Sequence, residues 1–181
     1  MSINGVVLKH NYSKYFSSNE LPFEVSSDGL ELLKYKTHTS RQTLSIASNN
    51  SNSQSKLKIT AQDGYLYLTT KRLVFITAKQ GDVESFVLDL TLAPILQLSH
   101  KLKAPWFGVN YWEFMFYSAK EPSIVSDGFP KNEFFKGEIY FQDGGLFDFV
   151  EALNTVVNDV VNNREIDDEL PAYSAAAATT M

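Results

Sequence analysis

Gly64–Ile76 reads GYLYLTTKRLVFI, two short runs rich in Tyr, Leu, Val, Phe and Ile joined by the polar step Thr69-Thr70-Lys71-Arg72. Strand side chains alternate with period two, so Leu66 and Leu68 share one face, Tyr65 and Tyr67 the other, and Leu73 and Phe75 continue the apolar face. This is a β-hairpin. Its link lacks the Asn-Gly or Gly-Gly of a two-residue primed turn, which predicts a four-residue loop built round a type I turn.

Outward from this hairpin the same alternation recurs. Lys56–Thr60 precedes it as a strand, behind the low-complexity polar insert Ser48–Ser55, which predicts a mobile loop. Towards the N-terminus, Phe23–Val25 and Leu30–Tyr35 flank Ser26-Ser27-Asp28-Gly29 and read as a second hairpin. Residues 1–19 show no period and receive no assignment. After the turn at Lys79–Asp82, Phe86, Leu88, Leu90 and Leu92 alternate with Ser85, Val87, Asp89 and Thr91 up to Pro94. Ile95–Leu102 offers a further strand. Asn110–Tyr117 places Trp112, Phe114 and Phe116 on one face, and Ile139 and Phe141 face inward on the last strand. Helical period appears once, from Leu146 to about Asn162, with apolar residues three and four apart after Gly144-Gly145. About seven short strands and one closing helix predict a mainly β barrel or sandwich with its open end capped by that helix.

The chain has 181 residues, 44% hydrophobic and 13% aromatic, enough for one packed domain with tails. No apolar run approaches the length of a membrane-spanning helix, and no basic region precedes the short apolar piece near the N-terminus. There is no cysteine, so disulfides and thiolate metal sites are excluded. The expected compartment is cytoplasm, nucleus or both. A net charge of −5 argues against direct binding to nucleic acid. His10, His38 and His100 have no metal-ligand spacing, and no serine sits in a nucleophile motif. The reading is therefore a non-enzyme without metal or cofactor.

GYLYLTTKRLVFI resembles the signature hairpin of GRAM domains, a branch of the pleckstrin-homology-like fold. Ala104–Tyr111, APWFGVNY, resembles the Pro-x-Phe-Gly-x-Asn-Tyr segment of the WW-domain-binding protein 2 family, and Gly144 with the following helix resembles the end of that family's domain. The resemblance implies a domain over residues 20–163 and a flexible tail over 164–181. It implies an adaptor role, with WW-domain proteins as partners, and transcription coactivation as a family function. The tail here is short and lacks proline runs. It carries Leu170-Pro171-Ala172-Tyr173, whose Leu170, Pro171 and Tyr173 fit the Leu-Pro-x-Tyr variant read by WW domains of ubiquitin ligases: Pro171 pre-sets an extended backbone and Tyr173 can fill an aromatic groove.

Pleckstrin-like domains also suggest a second class of function, a membrane module holding a phosphoinositide headgroup on Lys71 and Arg72, with Lys56 and Lys58 nearby. Solvated charge on an edge strand is the competing reading of those lysines, and the negative net charge favours it. Trp106–Tyr111 is expected to tuck onto the core through Trp106 and Phe107.

Overall fold

The computed structural model describes residues 2–49, 57–120 and 128–162. The tail motif Leu170–Tyr173, residues 50–55 of the polar insert and Lys56 lie outside them. Among the described residues ten strands form two five-stranded antiparallel sheets. The first sheet has the order β1 (Ser2–Ile3), β7 (Ser85–Asp89), β6 (Arg72–Thr77), β5 (Gly64–Thr69), β2 (Leu33–Lys36). The second has the order β4 (Lys58–Ala61), β3 (Gln42–Ser48), β10 (Glu133–Phe141), β9 (Tyr111–Ser118), β8 (Ser99–Lys103). A short helix, α1 (Ala93–Leu96), links the sheets, and α2 spans residues 146–162. The mainly β class with one closing C-terminal helix is the one expected from the sequence.

The central hairpin pairs Leu66 with Phe75 and Leu68 with Leu73. Its link is shorter than predicted, only Thr70 and Lys71, because the Thr69 hydroxyl accepts from the backbone N–H of Lys71 and of Arg72 at 3.2 and 3.0 Å. That side chain does the work of a turn carbonyl. Leu66, Leu68, Leu73 and Phe75 enter the core between the sheets and meet Leu44, Ile46, Trp112, Phe114, Phe116 and Ile139 from the other side. Phe114 crosses directly over its strand partner Gly137, where any Cβ would collide with the ring.

Helix α2 closes one end of this core with Leu146, Phe149, Leu153 and Val156. Phe149 stands edge-on to Trp112, ring centroids 5.4 Å apart, and also meets Phe141 and Tyr35. Valine favours helices weakly, so it is this docking that holds the valine-rich helix in place.

Residues 2–25, most of which the sequence left unassigned, cover the outer face of the first sheet. Val6 and Phe23 pack with Tyr67, Val74, Ile76 and Val87 in a second buried cluster. Phe16 stacks on Tyr65 with centroids 4.2 Å apart. The first sheet is therefore apolar on both sides. The expected hairpin at 23–35 is corrected: Ser26–Gly29 does turn, with Asp28 Oδ1 accepting from the Ser26 hydroxyl and the Leu30 N–H, but its arms pair elsewhere. Phe23 bridges Leu8, and β2 pairs with β5. The strand predicted to reach Leu92 ends at Asp89, whose carboxylate accepts from the Thr91 N–H at 3.0 Å and starts a 3-10 turn over Leu90–Leu92.

Candidate functional site

Arg72 opens β6 beside the segment leading into β2. Its Nε donates to Glu31 Oε2 at 2.8 Å, its Nη2 to Glu31 Oε1 and to the Glu24 carbonyl, and its guanidinium lies 5.1 Å over the Phe23 ring. The Glu31 side chain is only 3% exposed, and its Oε2 also accepts from the Thr69 hydroxyl at 2.7 Å. Lys71 donates to Asp28 Oδ2 at 3.2 Å and to the Ser26 hydroxyl. The Leu30 N–H, the Ser26 hydroxyl and Lys71 pull the Asp28 carboxyl down to about 2. Ser26, Glu31, Lys71 and Arg72 border an open depression of about 350 Å³ that Glu24 and Asp89 also line. Carboxylates outnumber the two cations there, so Lys71 and Arg72 offer no surplus positive charge to an anionic headgroup. Lys58 is exposed on β4, an edge strand of the second sheet, and Lys56 lies outside the described residues.

A second depression, about 200 Å³, lies where α2 begins and is lined by Tyr35, His38, Thr39, Gln42, Asp143 and Asp148, among others. Asp143 accepts from the Thr39 hydroxyl at 2.7 Å and from Arg41 Nε at 2.8 Å, and the two together hold its carboxyl below the usual carboxylate range. The Tyr35 hydroxyl donates to the Gly145 carbonyl, and burial pushes it up. Its polar groups are thus largely turned on one another.

The loop 104–110, between β8 and β9, departs from expectation. Trp106 is 91% exposed and Phe107 85% exposed, so neither ring tucks onto the core. The reason lies one residue pair inward: Trp112 already fills the adjoining volume, stacked on Phe114 and set against Phe149. Once Lys103 pairs with Tyr111, the intervening residues have no apolar surface left to cover and project outward. His100 completes this end of the second sheet. Its Nδ1 accepts from Trp112 Nε1 at 3.2 Å, and burial pushes the imidazole down from its ordinary value.

His10, His38 and His100 are spread over three separate parts of the chain, and no cluster of three or more His, Asp or Glu side chains able to hold a metal ion occurs among the described residues. Leu170, Pro171 and Tyr173 lie outside those residues. The sequence reading missed Trp106 and Phe107 as surface groups. The available signal was their place between Pro105 and Gly108, where strand alternation stops.

No family model matches the chain. A UPF0664 stress-induced protein of Schizosaccharomyces pombe is 34% identical over 120 residues, and the match spans 63% of this chain and 63% of that protein. The chain is thus matched to under two thirds of that relative's length. Among solved structures, the Vps36 N-terminal PH domain superposes with a TM-score of 0.47 at 16% identity, covering 81% of this chain and 91% of that one. A chain of the 8S snRNP assembly intermediate superposes with a TM-score of 0.44 at 13% identity, covering 70% of this chain and 82% of its own.

Proposed function

We propose that this chain is a non-enzymatic adaptor of the cytoplasm or nucleus, in which a pleckstrin-like β scaffold carries a C-terminal Leu-Pro-x-Tyr segment for WW-domain proteins. Its partners on this reading are ubiquitin ligases or transcriptional regulators, and coactivation is the role the family resemblance suggests. One observation carries the proposal. Helix α2 is anchored through Leu153 and Val156, with Val160 still packed against the core, and only its final residues, Val161 at 46% exposed and Asn162, face solvent. The helix thus ends at the surface, and in the sequence Leu170-Pro171-Ala172-Tyr173 begins eight residues after residue 162. The polar groups of the two depressions are spent on ion pairs and hydrogen bonds with one another, which suits a scaffold.

A peptide of residues 167–174 is expected to bind a WW domain in roughly the micromolar range, because a short flexible ligand must be ordered on binding. Tyr173→Ala removes the side chain that fills the groove and should abolish binding. Pro171→Ala should weaken it by releasing a fixed backbone angle. Fluorescence anisotropy against a panel of WW domains measures both. Equal affinity of the wild-type and Tyr173→Ala peptides would sink the proposal.

A further inference from the structure

We infer that the loop 104–110 is a membrane-contacting wedge, with Trp106 and Phe107 entering the interfacial layer of a lipid bilayer and Lys101 and Lys103 meeting anionic headgroups. Two large rings side by side, nearly fully solvated at the tip of a strand-to-strand loop, are costly to leave in water and do nothing for the core. Pro105 and Gly108, the latter at a φ of 107° that few other residues tolerate, shape a short projecting turn. A fluid layer needs no fixed shape, and indole is the side chain best suited to its polar–apolar boundary.

Charge favours the same occupant. The thirteen residues 100–112 include Lys101 and Lys103 but no Asp or Glu, in a chain of net charge −5. Lys101 leans on Glu113 at 3.3 Å yet stays well exposed, and Lys103 has no ion-pair partner among the described residues. The carboxylate in the turn before α2, Asp143, is already held by Arg41. The local surface is therefore positive where the molecule as a whole is negative, the pattern that brings a peripheral protein to anionic lipid loop first. A second copy is the poorer occupant, since two convex tips would bring these lysines against each other. The site is separate from Lys71 and Arg72 and independent of the tail.

The test uses the full chain with vesicles of phosphatidylcholine, alone or mixed with phosphatidylserine. Trp112 is buried, so a change in tryptophan emission reports Trp106. The emission is expected to shift to the blue on adding mixed vesicles and to be quenched by lipids brominated high in the acyl chain. Trp106→Ala with Phe107→Ala should lower co-sedimentation by at least about tenfold, given the apolar area withdrawn. Because both rings are exposed, the double variant should melt like the wild type. Lys103→Glu should reduce the gain from phosphatidylserine, whereas Lys71→Ala should leave binding intact. A wild type that ignores both vesicle types overturns the proposal and assigns the loop to a protein partner. Vesicle binding unaffected by the double variant overturns it too. So does emission that is already blue in the free chain and turns red on deleting residues 163–181, which would make the chain's own tail the occupant.

Discussion

His100 couples the second sheet to acidity. Burial holds its folded-state pKa below the ordinary 6.5, so as the pH falls the unfolded chain takes up this proton first. Stability is therefore lost from about 6.5 downward until the folded form also protonates, and the proton would occupy the Nδ1 that accepts from Trp112. The melting temperature should drop between pH 7 and pH 5.5, and His100→Gln, which keeps an acceptor but does not titrate, should flatten that part of the curve. An unchanged slope would show that His100 is not the group responsible. Glu31 makes a different kind of demand. Glu31→Ala removes the buried carboxylate that accepts from both the Arg72 guanidinium and the Thr69 hydroxyl and should cost about 3 kcal/mol in urea unfolding. Glu31→Leu with Arg72→Met should recover much of that loss; failure to recover would mean the pair gives more than neutralised burial. Such partners were not legible in the sequence. Lys71 and Arg72 read as two adjacent free charges, because Asp28 and Glu31 lie some forty residues away along the chain.

Periodicity makes β9 and α2 legible, whereas alternation overran β7, which ends at Asp89, and suggested a strand from Ile95 where α1 occupies Ala93–Leu96 before β8 begins at Ser99. β9 alternates Trp112, Phe114 and Phe116, and α2 repeats at three and four, so each declares its buried face. β3 carries little signal in the sequence, because QTLSIAS spreads only Leu44 and Ile46 among small polar residues, yet it lies between β4 and β10. The arms around Ser26–Gly29 were mispaired for another reason: local turn chemistry fixes a reversal but says nothing about which distant strand offers the better register. Within α2 the two faces separate cleanly. Phe149→Ala should cost roughly 3–5 kcal/mol, since it opens a cavity among Trp112, Phe141 and Tyr35. Phe147, 63% exposed two residues earlier, should change stability by no more than about 0.5 kcal/mol on the same substitution. Thermal and urea melts of the two variants check the contrast, and similar losses would place the helix differently on the core.

At the scale of the whole molecule, the segment 2–25 makes the first sheet a middle layer. Deleting residues 2–24 should leave Tyr67, Val74, Ile76 and Val87 facing water on a strand-rich surface, so the shortened chain should bind a hydrophobic dye and self-associate. A monomeric, dye-silent deletion product would show that the covering is dispensable. The covering also has a history in time. Asn4 Oδ1 accepts from the N–H groups of Glu84 and of Ser85, the latter 81 positions along, and Ser2 pairs with Val87. During synthesis this segment thus waits for a partner that is translated some eighty codons later, with Val6, Phe16 and Phe23 unprotected meanwhile. Closing so long a loop is slow relative to forming the 64–76 hairpin, so the segment should dock late and, in native-state hydrogen exchange, its amides should open before those of β5 and β6.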